Sequence, residues 1–291
     1  MLLAVPWSRL AGAAALVGVS WLLYRATTDR TFAVDANAIP VSGTRYTSEE
    51  AVRAAMELPT DRLVNIFRIS TGDIEQRIET ALPAVREATV TATLPDTVAV
   101  TVEERRPILV WRSADESWLV DGEGMLFAPT STVDPAELGS GATGTQLPVV
   151  DDRRLEEMAG LGRVVPPLDL EVVRLLLTIT PEMLRSTAPE LFLRMDDTDG
   201  YILDAPGSWR AVFGPYTPVL RPSSIIPRQV QCLDALLACR EDSVATVVLA
   251  LSEETCGTFQ ERAGPRVTPK GGRDGSGAGD RTKGGKPTPR P

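Results

Sequence analysis

The stretch Leu82 to Pro107, LPAVREATVTATLPDTVAVTVEERRP, decides the fold. A helix end at Leu82-Pro83 gives way to two runs of period two. Val90, Ala92 and Leu94 alternate with threonines, then Val98, Val100 and Val102 alternate with Thr97, Ala99 and Thr101. Between them lies Leu94-Pro95-Asp96-Thr97, where proline fixes φ and an aspartate can cap its own turn. The stretch therefore reads as a hairpin with both apolar rows on one face of a half-buried sheet.

Upstream, Ile39 to Gly43 reads as a strand and turn. A first helix starts from a Thr47/Ser48 cap with Glu50 as capping-box partner, places Val52, Ala55, Met56 and Leu58 on one face, and stops at Pro59. A second begins after Ser70-Thr71-Gly72-Asp73, sets Ile74, Ile78, Ala81 and Leu82 at helical spacing and ends at Pro83. Residues 32–104 thus read strand, helix, helix, strand, strand, and the Ile74/Ile78/Leu82 row is expected to bury the Val98/Val100/Val102 row.

A second domain is expected from Arg105. Its opening hairpin runs from Ile108 to Trp111, then Trp118 to Val120, and turns through Asp121-Gly122-Glu123-Gly124 into Met125 to Phe127. Residues 129–148, rich in Gly, Thr, Ser and Pro, read as a surface loop. A helix from about Arg153, interrupted by Gly160, Gly162 and Pro166-Pro167, resumes at Leu168. Strands follow near Leu191 to Met195, Tyr201 to Leu203 and Trp209 to Phe213, then a helix from Pro227 to Cys239 and a strand from Val244 to Leu251. The fold class is α+β, with a mixed α/β second domain built on a largely antiparallel sheet. After Arg262 the chain lacks the apolar residues needed to offset ordering entropy and is expected to be disordered.

The residue string LPxVxxAxVxxxxPxTxxVxVxERxP closely resembles the end of the POTRA domain in the bacterial cell-division family FtsQ/DivIB. The resemblance extends to Ile39 to Gly43, Thr47-Ser48-Glu49-Glu50, Asn65-Ile66-Phe67, and downstream to Trp111, Trp118-Leu119-Val120-Asp121, Gly124 and Leu126-Phe127. It is specific from about residue 32 to 128 and looser to 261, where it rests on the order of elements and on Trp209 and Val212-Phe213-Gly214. It implies a POTRA domain (β-α-α-β-β) at 32–104 and a β domain of the same family at 105–261. It also implies recruitment of FtsB, and with it FtsL, by strand addition at the end of the second domain.

Composition removes other classes. The formal charge is −9, but eight Lys/Arg against two Asp from Arg262 onward leave about −15 on the residues before it, which disfavours nucleic acid. The chain has no His, so it lacks the usual general base near neutral pH and the commonest metal ligand. No Ser-x-x-Lys or Gly-x-Ser-x-Gly string is present, which argues against an exported cell-wall enzyme. A POTRA-bearing envelope translocation protein is disfavoured by the single POTRA and the absence of barrel strands. Cys232 and Cys239, seven apart on one expected helix, have Cα atoms about 10 Å apart, beyond the ~7 Å limit for a bridge, and read as core thiols. Cys256 can pair with one of them only if the fold brings it close.

Leu10 to Tyr24 is apolar apart from one serine, with Trp21 and Tyr24 at one end. It reads as a membrane segment, shorter than the ~20 residues a span needs unless Arg9 snorkels and Leu2 to Trp7 add a turn. An anchor is favoured over a cleaved signal because residues 25–30 offer no small-x-small cleavage site. The resemblance sets the orientation, N-terminus cytoplasmic and domains outside. The expected layout is a cytoplasmic stub and transmembrane anchor (1–24), a linker (25–31), the POTRA domain (32–104), the β domain (105–261) and a basic tail (262–291).

Glu103-Glu104-Arg105-Arg106 reads as a solvated strand exit with local ion pairs, and Asp196-Asp197-Thr198-Asp199-Gly200 as a hairpin turn, not a calcium loop. Trp111, Trp118 and Trp209, at strand positions, read as core or sheet-edge packing rather than as a ligand platform. The last strand stands apart. VATVVLAL (Val244 to Leu251) is apolar almost throughout, which implies cover on both faces, and at a sheet edge it would need a partner. The candidate partner-binding residues are Val247, Leu249, Ala250, Leu251, Ser252, Glu253, Glu254, Thr255 and Phe259. The family often carries a "VDLR"-like string where this chain has Leu249-Ala250-Leu251-Ser252, so a charged anchor is missing there. The expected function is that of a non-enzymatic, single-pass scaffold at the division septum in the cell membrane. It would need no cofactor, metal, nucleic acid or small-molecule substrate. Its partners would be FtsB-like and FtsL-like proteins and the bilayer.

Overall fold

The computed structural model describes residues 7–114, 116–133, 146–154, 160–238, 240–251 and 255–262. The expected tail, most of the 129–148 loop, and Cys239 lie outside them. Helix α1 (Trp7–Thr28) carries exposed Leu16, Val17, Val19, Trp21, Leu22 and Tyr24. Among the described residues no helix is long and apolar enough to cross a membrane.

The first domain contains β1 (Ala33–Val34), β2 (Val41–Ser42), α2 (Glu49–Ala55), β3 (Val64–Asn65), α3 (Thr71–Ala81), β4 (Val85–Thr93) and β5 (Thr97–Glu104). β5 is central in a sheet of order β2-β5-β4, parallel to β2 and antiparallel to β4, while β1 and β3 form a separate two-stranded ribbon. Register pairs Val90 with Val100 and Ala88 with Val102, so these side chains share the face that meets fully buried Ile74 and Ile78 of α3, Val52 of α2 and Met56 at its C-cap. Gly43, at φ +89°, ends β2 where a Cβ would lie 2.0 Å from the Val102 carbonyl oxygen, so only glycine fits.

Several local expectations change. Ala92 and Leu94 are exposed rather than part of the buried row. An 11-residue helix of about 16 Å cannot cover a nine-residue strand of about 30 Å. Ser48 caps α2 by accepting from Ala51 N–H at 3.1 Å, which places Glu50 one position short of a capping box, and Glu49 pairs with Arg53 instead (2.7 Å). α3 starts one turn earlier than read, with Ser70 at its N-cap, and Ala81 is exposed.

Glu103-Glu104-Arg105-Arg106 is not a local ion-pair cluster. The Glu104 carboxylate accepts the backbone N–H groups of Arg45, Tyr46 and Thr47 at 2.8, 2.7 and 2.9 Å, fixing the approach to α2. Arg105 reaches the other way, to the Pro83 carbonyl (3.0 Å), Asp121 (2.6 Å) and Glu123 (3.0 Å), and ties the two domains together. Burial works against its charge, but the Asp121 and Glu123 carboxylates prevail and hold the guanidinium above its ordinary range.

The second domain is one nine-stranded sheet of order β14-β13-β12-β11-β10-β9-β6-β7-β8. Its elements are β6 (Pro107–Ser113), β7 (Glu116–Asp121), β8 (Leu126–Pro129), β9 (Val149–Asp152), α4 (Pro167–Leu177), β10 (Phe192–Asp196), β11 (Gly200–Asp204), β12 (Arg210–Gly214), α5 (Ile226–Leu237), β13 (Val244–Leu249) and β14 (Gly257–Glu261). Five of its pairings are antiparallel, and β6 with β9, β9 with β10, and β12 with β13 are parallel. α4 and α5 contribute Val172, Val173, Leu176, Leu233 and Leu237 to the core that also buries Trp111, Trp118 and Trp209.

β9 lies between the expected 129–148 loop and the expected helix, where the sequence predicts no element, yet it joins the two halves of the sheet. Asp152 at its end is 2% exposed and held by Arg154 (2.8 Å) and the Trp111 indole (3.3 Å). Arg154 also pairs with Asp169 at 2.8 Å, which accepts from the Tyr201 hydroxyl at 2.6 Å. Burial, then that carboxylate, pushes the Tyr201 phenol far above its ordinary range.

Val100 is 1% exposed at the centre of the first core. Val100→Asp should therefore cost several kcal/mol, comparable with a small domain's stability, while Thr91→Asp on the open face should stay within about 0.5 kcal/mol. Thermal melts followed by circular dichroism check both.

Candidate partner-binding edge

A strand at a sheet edge leaves a row of backbone N–H and C=O groups that proteins cover or blunt. This chain covers most of its own. Along β4, Glu79 accepts from Ala88 N–H at 2.9 Å and Glu75 from Val90 N–H at 2.8 Å, so two carboxylates of α3 close the first domain's outer edge. Beside β8, Leu126 N–H donates to the Arg163 carbonyl (2.8 Å) and Gly162 N–H to the Leu126 carbonyl (2.8 Å), so a loop closes that end of the large sheet. β1, β2 and β3 have two residues each. Among the described residues, the long edge left open is β14.

This corrects the reading of the last strand. β13 is not an edge: it pairs in parallel with β12 and antiparallel with β14. Nor is it covered on both faces, since Val248 is 42% exposed while Val247 and Leu249 are buried on the α5 side. The strand ends at Leu249, two residues earlier than expected. Val247 and Leu249 are therefore core residues, Ala250 and Leu251 are half-buried and Thr255 is exposed, whereas Ser252, Glu253 and Glu254 lie outside the described residues. Of the candidate residues only Phe259 sits on the open strand, with its side chain half-buried against the core and the Arg240 guanidinium 5.5 Å from its ring. Thr258, Gln260 and Glu261 were missed because GTFQE is short, polar and not periodic enough to read as a strand.

The ladder fixes which backbone groups face out. Ala250 N–H donates to the Cys256 carbonyl at 3.2 Å at one end, and Arg262 N–H to the Ser243 carbonyl at 2.7 Å at the other. Antiparallel alternation between these points turns the backbone groups of Phe259 and Glu261 away from β13.

Three devices hold the β13–β14 hairpin in place. Gly257, at φ +119°, sits where a Cβ would meet the Val248 carbonyl oxygen at 2.2 Å. The amide nitrogen of Gln229, a residue 3% exposed, donates to the carbonyls of Phe213 (3.0 Å) and Ala250 (3.1 Å), and its oxygen accepts from the Tyr216 hydroxyl (2.6 Å). Cys256 is joined to Cys232 of α5 in a disulfide, which overturns the expectation of core thiols. Sequence spacing could not find this pair, because 24 residues and a strand separate the two cysteines.

The segment leading into β13 is fixed by Glu241, which accepts from Ser186, from Thr187 N–H (2.9 Å) and from the Trp209 indole (3.1 Å). Partial burial works against its charge, but those donors outweigh it and hold the carboxyl below its usual range. The Asp196 turn is the expected hairpin turn, with Asp196 accepting from Thr198 N–H (3.1 Å) and Asp199 N–H (2.7 Å).

Residues 35–105 match the family model described as "POTRA domain, FtsQ-type". The chain is also similar to proteins named cell division protein FtsQ. It is 35% identical to that of Streptomyces bingchenggensis over 111 residues, 38% of this chain and 39% of the relative. It is 32% identical to that of Streptomyces coelicolor over 159 residues, 51% of this chain and 57% of the relative. To that of Alcanivorax borkumensis it is 31% identical over 176 residues, 58% of this chain and 62% of the relative. The chain thus spans less than two thirds of the length of these relatives. The large sheet is joined to the matched domain through Arg105, at the last matched residue.

Closing a loop of this size with a disulfide stabilises a fold by about 2–4 kcal/mol. Cys256→Ser should therefore lower the unfolding free energy of the second domain by about 2–4 kcal/mol and move its denaturant midpoint down accordingly. A reducing agent should do the same to the wild type and leave the variant unchanged.

Proposed function

We propose that the chain is a non-catalytic, membrane-anchored scaffold of the division machinery that binds FtsB-like and FtsL-like partners outside the cytoplasm by accepting a strand on β14. The open β14 edge carries this reading. It is the one long edge that the described residues leave uncovered, and strand addition supplies affinity through main-chain hydrogen bonds and specificity through alternate side chains. The docking residues are then the backbones of Phe259 and Glu261 with the exposed side chains of Thr258 and Gln260, not the buried Val247 and Leu249.

The disulfide supports an oxidising compartment outside the cytoplasm. Support for the anchor comes from α1. The apolar run Leu10 to Tyr24 lies inside a 22-residue helix whose length, about 33 Å, is close to the ~30 Å of bilayer hydrocarbon. Its described apolar side chains are exposed, as lipid-facing ones would be. The likeness to proteins named for cell division supports a scaffold that acts at the septum.

Glu261→Pro removes an outward N–H without touching the β13 ladder, whereas Gln260→Pro breaks an inward ladder bond. The first should keep the wild-type melt and lose recovery of an FtsB-like partner from membranes. The second should lose both. A chain ending at Arg262 should retain the partner. Wild-type recovery by Glu261→Pro would place the interface elsewhere.

A further inference from the structure

The end of α1 meets the first domain on a face that the docking edge does not use. Asn65 donates its side-chain N–H to the Ala26 carbonyl at 3.0 Å, so the β1–β3 ribbon is fastened to the last turns of α1. Beside this joint lies a groove of about 530 Å³, lined by Thr28, Asp29, Arg30, Arg62, Leu63 and Arg68 among others. That volume is within the range of small-ligand sites. Arg30, Arg62 and Arg68 are exposed and make no ion pair among the described residues. The acidic groups nearby are Asp29, whose carboxylate is occupied by Thr31 N–H (3.0 Å) and Thr31 hydroxyl (2.9 Å), and exposed Asp61. Leu63 and Phe67 on the same ribbon segment are 56% and 51% exposed, and the Phe67 ring lies 5.2 Å from Phe32.

Large apolar side chains held in water next to three unpaired guanidinium groups have no role in the domain's own core. Together they match a bilayer interface, where guanidinium groups bind phosphate through paired N–H donors and apolar tips enter the acyl boundary. Trp21 and Tyr24, exposed on the last turns of α1, with Arg25 5.6 Å from the Trp21 ring, continue the same belt along the helix. We infer that this face binds anionic phospholipid headgroups, with Arg30, Arg62 and Arg68 on the phosphates and Leu63 and Phe67 inserted below them. It would thereby hold the POTRA domain against the membrane and set the direction in which the β14 edge points. The inference rests on the anchor reading of α1.

The test uses the full chain in vesicles of phosphatidylcholine alone or with equal parts phosphatidylglycerol. A benzophenone side chain is placed at position 63, at 67 or, as a control, at exposed position 101. Light-induced lipid adducts are expected at 63 and 67 and absent at 101. They should be enriched in the phosphatidylglycerol vesicles and reduced about fivefold by each of Arg30→Gln, Arg62→Gln and Arg68→Gln. Excess inorganic phosphate should leave them unchanged. If the chain fails to stay with the vesicles at all, the anchor reading falls and this inference with it. If it stays embedded but gives no adduct at 63 and 67, the inference alone falls. Adducts insensitive to lipid charge and to the arginine changes, or abolished by inorganic phosphate, also overturn it.

Discussion

The requirement that every backbone N–H and C=O find a partner governs how this chain ends its sheets. At β4 the partner is a pair of glutamates on α3. At β8 it is the backbone of residues 162 and 163. Inside the large sheet it is the short parallel strand β9, which lets two antiparallel blocks share one ladder. At β14 no described residue supplies it. The proposed strand addition rests on that asymmetry, in which two edges are closed by dedicated groups and β14 is left open among the described residues.

The open edge is also the part that needs most reinforcement. A terminal hairpin has neighbours on one side only, and its loss would expose the Val247 and Leu249 core row. The disulfide to α5, the buried Gln229 bonded to both Phe213 and Ala250, and a glycine that admits no side chain each fix its position independently of the others. Three separate constraints on the hairpin would lower the ordering cost of the proposed strand addition. At the opposite end of the chain, Arg105 and Asn65 fix positions on a larger scale. One joins the two domains and the other joins the first domain to α1, so an edge far along the sequence has a defined relation to the helix.

The first domain was largely legible because its signals are local and periodic. The Val98, Val100 and Val102 row, Ile74 and Ile78 at helical spacing, and a proline-centred turn each point to the same core. In the second domain, alternating runs gave β6, β7, β10, β11 and β12, but β9 and β14 have too few apolar residues to register and owe their strand form to neighbours. Glu104 and Arg105 were read as a local cluster because adjacency in sequence says nothing of direction along a strand, where successive side chains point to opposite faces. The candidate residues gather at the last hairpin, and most of them fall on the strand that pairs on both sides rather than on its open neighbour. Apolar content marks burial, and a strand buried between two others is the one a partner cannot reach.

Amide hydrogen exchange in the full chain tests the asymmetry of edges most directly. In the chain without partner, the amides of Ala88 and Val90 should exchange slowly because Glu79 and Glu75 hold them, whereas those of Phe259 and Glu261 should exchange fast and become slow only when an FtsB-like partner is added. If Phe259 and Glu261 are already as slow as Ala88 and Val90 without a partner, β14 is not an open edge and the account of this chain as a strand-accepting scaffold is contradicted.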